Sequence, residues 1–196
     1  MRHKLHLFRQ EAARTIFLSA ASAPAPQSHS LFLTSLLNGQ NLLVPRYGKK
    51  DTLIGGNGLR YAGHEASAEL AAARIDAFAG MVEAANENGC ELFVVAGDLF
   101  ERLRGIAKRD VKAVVDALSR FNGTVPVLPG NHDYYSPDAK LWQDFSDCAQ
   151  SADNIMLLKE YRPYHVSAGD NDVVLYPALC TSMHSAPGEN NLGWIK

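Results

Sequence analysis

The chain has 196 residues, of which 46% are hydrophobic and 20% charged, with a formal net charge of −2. These values describe one ordinary globular domain that can bury a core without staples, and they exclude collagen, coiled coil and wholesale disorder. No run of about 20 apolar residues is present, so no membrane-spanning helix is expected; Cys90, Cys148 and Cys180 are odd in number and form no C-x-x-C pair, which argues against a disulfide framework or zinc ribbon and for reduced thiols in a cytoplasmic protein.

Charge is uneven along the chain. Residues 1–50 carry seven Lys/Arg against Glu11, a net of +6, and the remainder carries −8. The basic residues lack the interleaved aromatic pattern of a nucleic-acid stacking platform, so this front reads as a solvated basic tail. Residues 1–30 read as a flexible extension, because Ala, Ser and Pro dominate Ser19–Ser30. Thr15–Ala23 has the small residues of a secretory signal, but its apolar core is short and Glu11 stands where positive charge is required.

Leu31–Ser35 reads as a short buried strand, and residues 38–63 as a long Gly/Asn-rich loop. Within it, Gly55-Gly56-Asn57-Gly58 has neither a helix directly after it nor a closing Lys-Ser/Thr, so it is no phosphate-binding fingerprint. Ala71, Ile75, Phe78, Val82 and Ala85 recur at helical spacing and predict a helix over Glu65–Asn88, stopped by Gly89. Leu92–Ala96 is a continuous apolar run, as in a strand covered on both faces. A second helix is predicted from Asp110 to Phe121, with Val111, Val114, Val115 and Leu118 on one stripe. Val125–Leu128 reads as a buried strand that Pro126 places near an edge or bulge. Ser136 reads as the N-cap and Pro137 as the first residue of a helix reaching Ala149. Strands are predicted at Ile155–Leu158, Arg162–Ser167 and Asp172–Ala178, with a turn at Gly169–Asp172.

Alternating strands and helices predict a mostly parallel sheet with helices on its faces, and in such sheets ligands sit beyond the carboxyl ends of the strands. Two of those ends carry chemistry. Leu92–Ala96 is followed by Gly97-Asp98-Leu99-Phe100, and Val125–Leu128 by Pro129-Gly130-Asn131-His132-Asp133. Glycine permits a sharp turn. Asp98 offers a carboxylate that can bridge cations, Asn131 a neutral carbonyl oxygen, and His132 a proton or hydrogen bond. Gly-Asp alone after a strand is a common turn or helix cap, and Gly-Asn-His-Asp alone is rarer, as readily a site as a turn. Both together, each behind an apolar strand, suit metal-assisted phosphoester hydrolysis.

The pair GDLF (97–100) and GNHD (130–133) resembles the signature of the calcineurin-like metallophosphoesterases. With the helix containing Arg74–Phe78, it is most similar to the SbcD-like DNA-repair exonuclease branch. The resemblance covers roughly residues 31–180 and is specific only at the two motifs. It implies an α/β fold, a mixed β-sandwich flanked by helices in αββα order. It also implies hydrolysis of phosphodiesters, with DNA as a candidate substrate and an ATPase subunit as a candidate partner. Two divalent ions are implied, Mn²⁺ first, with Fe, Zn or Mg as alternatives. Asp98 matches the bridging ligand, Asn131 a ligand of the second metal, and His132 the catalytic residue acting on the transition state or leaving group.

The chain departs from the family pattern at both ends. The family opens with Asp-x-His after its first strand, where this sequence has Leu36 and Asn38. It closes with a lone His and a Gly-His-x-His; His184 is the last histidine here and lacks that context. Asn38, Asp51 and His64 read as ordinary loop residues. Residues 31–196 are therefore expected to be the N-terminal part of a metallophosphoesterase domain, incomplete at the C-terminus, with an incomplete two-metal site, weak metal binding and little turnover. The alternative is a catalytically inactive metallophosphoesterase-fold scaffold or binding protein.

Overall fold

A computed structural model describes residues 7–10, 13–19, 32–37, 40–45, 64–184 and 190–195. The elements in chain order are β1 (Leu7–Gln10), β2 (Ala13–Ser19), β3 (Phe32–Leu37), β4 (Gln40–Pro45), α1 (His64–Glu87), β5 (Cys90–Phe93), β6 (Val95–Ala96), α2 (Lys108–Leu118), β7 (Val125–Leu128), α3 (Lys140–Ala149), β8 (Ile155–Leu157), β9 (Tyr164–Ala168) and β10 (Asn171–Ala178).

The β5/β6 segment is one strand interrupted at Val94, and it joins two three-stranded sheets, β3-β4-β5 and β6-β7-β8. Within this layer β4, β5/β6, β7 and β8 run parallel, and β3 is antiparallel to β4. The strand order advances in one direction, so successive right-handed crossovers place the connecting helices on the same face. Phe78, Met81, Val82 and Ala85 of α1, Val111, Val114, Val115 and Leu118 of α2, and Leu141, Trp142 and Phe145 of α3 pack there with Phe93, Val95, Val125 and Val127. The α1 and α2 sets follow i, i+3, i+4, i+7 spacing, which makes one apolar stripe per helix.

The opposite face of the same sheet offers Leu92, Val94 and Leu128, which pack against Tyr164, Val166, Val173 and Leu175 of the second sheet. That sheet has the order β1-β2-β10-β9, with β2 parallel to β10 and the outer pairs antiparallel. Helices, mixed sheet and mixed sheet are therefore stacked around two cores, the expected α/β sandwich. Burial on both faces is why 92–96 and 125–128 read as unbroken apolar runs rather than alternating ones. Residues 90–96 carry a bulge: Asn41 pairs with Cys90 and Leu42 with Leu92, leaving Glu91 as the extra residue. The insertion shifts the side-chain phase, so Cys90 joins Phe93 and Val95 on the helix side.

Several sequence expectations are corrected. Strands β1 and β2 fall inside the segment 1–30 read as a flexible extension; Arg14–Ser19 gain a partner in β10, a pairing too distant in sequence for local composition to reveal. Strand β4 falls inside the segment 38–63 read as a loop. The Gly55–Gly58 stretch, Asn38 and Asp51 lie outside the described residues. Pro126 stands in the middle of the layer, between β5/β6 and β8, and not at an edge. Thr124 N–H bonds Glu91 O, and Phe93 N–H bonds Thr124 O. The next rung would need an N–H at Pro126, which proline lacks, and there the strand is interrupted at Val94. Helix α3 starts at Lys140, later than Pro137; its N-cap is Ala139, without a side-chain cap, because Ser136 instead closes a turn in which its carbonyl accepts from Ala139 N–H at 3.0 Å.

Candidate active site

Asp98 and Asn131 follow the carboxyl ends of two strands that lie side by side, β6 and β7. At the first end, Gly97 has φ 91° and Asp98 φ 53°. A non-glycine residue in the left-handed region costs on the order of 1 kcal/mol, and Asp tolerates it better than most. The turn is held by burial of the next two side chains: Leu99 and Phe100 are fully buried in the helix-side core. At the second end, a Cβ at Gly130 would overlap the backbone N and carboxylate of Asp98. Only glycine lets the two loops approach this closely. The approach brings His132 N–H to within 3.1 Å of Asp98 Oδ1, which accepts it.

Asp133 locks the same loops from inside. Its Oδ2 accepts from Phe100 N–H at 2.9 Å and its Oδ1 from Gly130 N–H at 2.6 Å. The residue is fully buried. Burial pushes its carboxyl up to about 7, with Asp98 adding to the rise and the two N–H bonds opposing it. Trp142 of α3 donates Nε1–H to Asp133 O at 2.8 Å, and its ring meets Phe100 edge-on at 6.1 Å. Tyr135 N–H bonds Cys180 O at 2.9 Å, tying the loop to the segment after β10. Sequence reasoning assigned no role to Asp133, Trp142 or the missing Cβ of Gly130. The GNHD motif contains Asp133, but its burial depends on elements far along the chain.

The three sequence-derived site residues are therefore brought to one place. Asp98 and Asn131 are half-buried and the His132 residue is exposed. Asn131 Oδ1 is buried without a hydrogen-bond partner, the condition expected of an oxygen kept for a cation or a ligand. As donors for a hard divalent ion, a carboxylate and an amide oxygen on touching loops fit. They make only part of a set: among the described residues no group of three or more His, Cys, Asp and Glu could hold a metal.

The position of the first-strand ligands is also corrected. Strand β3 runs antiparallel to β4 and so to β5, which puts its last residues, including Leu36, at the sheet edge opposite Asp98. The strand ending beside the site is β4, whose register pairs Leu43 with Phe93. Its final residues, Leu43-Val44-Pro45, carry no donor side chain. His184 is exposed, four residues past Cys180.

Stacked mixed sheets, helices over one of them, and polar loops gathered at the carboxyl ends of adjacent parallel strands define an α/β sandwich. Residues 64–191 match the family model of the calcineurin-like phosphoesterases, a span of more than half the chain, and the chain belongs to that family. No curated protein sequence matches it. Among the described residues, no helix is long and apolar enough to cross a membrane.

Proposed function

We propose that the chain is a metal-dependent phosphodiesterase whose reaction centre is the contact between the 97–100 and 130–133 loops. The observation that carries this reading is the buried, unpartnered Asn131 Oδ1 on the loop whose next N–H is bonded to the Asp98 carboxylate. Asp98 and Asn131 would hold the cation, with one negative charge between them. A divalent cation supplies Lewis-acid charge to a phosphoryl group when bound, Mn²⁺ being the first candidate. His132, exposed on the loop beside Asp98, would donate to the departing oxygen. Asp133 fixes the backbone from which Asn131 and His132 project.

The SbcD-like branch, DNA as substrate and an ATPase partner belong to this reading on the strength of the GDLF and GNHD motifs. A cytoplasmic setting is supported by three cysteines outside any disulfide, two of them buried, with burial pushing the Cys90 thiol up. A second reading, a binding scaffold without turnover, is favoured by the donor-free end of β4.

Hydrolysis of bis-p-nitrophenyl phosphate at 5 mM Mn²⁺ (roughly the range where a two-donor site would fill), wild type beside Asp98→Ala and His132→Ala, separates the two. Mn²⁺-dependent turnover lost in Asp98→Ala supports the phosphodiesterase. Mn²⁺ binding that Asp98→Ala abolishes, with no turnover in the wild type, supports the scaffold. Binding indifferent to both Asp98→Ala and Asn131→Ala removes the site.

A further inference from the structure

Asparagine before glycine is the dipeptide that rearranges most readily, because glycine has no side chain to shield its backbone nitrogen from the amide carbon. The chain has four such pairs, at 38–39, 57–58, 88–89 and 122–123, and the last two lie among the described residues. Asn88 and Asn122 are both exposed, each in the turn that follows a helix, α1 and α2. Sequence and exposure do not separate them; their hydrogen bonds do.

Asn88 is held. Its Nδ2 donates to Ala84 O at 2.7 Å, which draws the side chain back along α1 and away from the next residue. The Gly89 N–H donates to Asn86 O at 3.0 Å. The amide and the nitrogen that would attack it are both engaged elsewhere.

At Asn122 only the main chain is held. Asn86 Oδ1 accepts from Asn122 N–H at 2.9 Å, Asn86 Nδ2 donates to Arg120 O at 2.9 Å, and Asn154 Nδ2 donates to Phe121 O at 2.9 Å. The side-chain amide of Asn122 and the N–H of Gly123 bond no described residue. No shielding residue can replace the glycine, because a Cβ there would overlap the backbone carbonyl of Glu91. A fixed turn thus presents an exposed amide beside an unengaged N–H.

We infer that Asn122-Gly123 is a site of spontaneous deamidation and isoaspartate formation, and that Asn88-Gly89 is protected from both. Hydroxide takes the proton from Gly123 N, which forms a bond to Asn122 Cγ. The Cγ–Nδ2 bond breaks and ammonia leaves, giving a cyclic imide. Water then opens the ring at either carbonyl. Opening at Cγ restores the chain with aspartate at 122. Opening at the main-chain carbon leaves isoaspartate, with the chain running through Cγ. Both products add a negative charge, and isoaspartate also lengthens the main chain by one carbon. The turn has no slack for that carbon: Phe121 is buried with its ring 5.6 Å from Phe93, and Thr124 N–H bonds Glu91 O at the entry to β7.

The test ages the full chain in mildly alkaline buffer, native and in guanidinium chloride, and follows each amide by mass spectrometry of the digested peptides. Two hydrogen bonds must break at Asn88-Gly89 before the ring can form, so native Asn122 should convert on the order of 30-fold faster than Asn88. In guanidinium chloride, where neither pair is bonded, the two rates should converge. Isoaspartate at 122 is recognised by methyl transfer from S-adenosylmethionine to its free α-carboxyl. The isoaspartyl form, separated by its added charge, should unfold at a lower urea concentration than unaged protein. Equal native rates at the two pairs, or faster conversion at Asn88, overturn the inference. So does an Asn122 that survives native ageing while it converts in denaturant. An unchanged urea midpoint for the isoaspartyl form overturns the assignment of a turn without slack.

Discussion

Replacing Asp133 with asparagine keeps the shape of the side chain and removes its ability to titrate. Asp133 has a folded-state value near 7 against an ordinary 3.8, because it is fully buried. A carboxyl raised by folding binds its proton more tightly in the native state, so its contribution is fully present below about pH 4 and is lost as pH rises towards 7. Three units at 1.36 kcal/mol each bound the loss at about 4 kcal/mol, with a slope of at most about 1.4 kcal/mol per pH unit. Asparagine can accept only one of the N–H groups of Phe100 and Gly130 and turns an amide donor towards the other, a cost of about 1–3 kcal/mol that does not depend on pH. Urea unfolding at pH 4.5, 5.5, 6.5 and 7.5 in EDTA (values that span about the titration range) should show Asp133→Asn less stable than wild type at the acid end. The difference should narrow, or reverse sign, by neutral pH. Parallel profiles would refute the reasoning and mean that the two N–H bonds outweigh the burial.

Gly130→Ala should cost on the order of 3 kcal/mol, since its Cβ would meet the backbone N of Asp98 as well as its carboxylate, and the backbone cannot swing aside; a urea midpoint close to wild type would show that the loops can separate freely. Trp142→Phe should cost about 2–3 kcal/mol through the lost bond to Asp133 O, measured by the same unfolding, and an unchanged stability would remove that bond from the account. Mn²⁺ at about 0.1 mM should raise the melting temperature by less than about 1 °C, because two oxygen donors bind at millimolar strength and add well under 0.1 kcal/mol by mass action. A shift of many degrees would show that residues such as Asp51, His64 or His184 complete the site.

The parts of the fold legible in the sequence were those fixed by local pattern. The α2 stripe and the 125–128 run are examples, since a helix face or a doubly covered strand writes itself into consecutive residues. Strand β4 left a signal that the Gly/Asn content of 46–63 obscured: Asn38-Gly39, the commonest two-residue hairpin pair, stands between the paired residues Leu37 and Gln40. The orientation of β3 followed from that hairpin, so reading 38–63 as one loop misplaced the first-strand ligands at the wrong end of the sheet. Strands β1 and β2 depend on β10, over 150 residues away, and no local rule reaches that far. In the candidate site, the meeting of the loops that carry Asp98, Asn131 and His132 was legible because each loop follows a strand that buries itself. Asp133 was not, because its place inside the protein depends on the loop of Phe100 and on Trp142 of α3, whose N–H groups bond it from elsewhere in the chain.

Trp142 also gives the contact between the 97–100 and 130–133 loops an optical reporter. The chain has two tryptophans. Trp194 is half-exposed and stacks on Tyr176 at 5.8 Å, whereas Trp142 is 2% exposed with its indole N–H on the carbonyl of the loop that carries Asn131 and His132. Acrylamide in solution reaches the first ring and not the second. The emission that survives quenching belongs to Trp142, and its wavelength follows the electric field at the indole. Binding of a cation or a phosphate at the neighbouring loops can then be followed in the unlabelled protein without waiting for product.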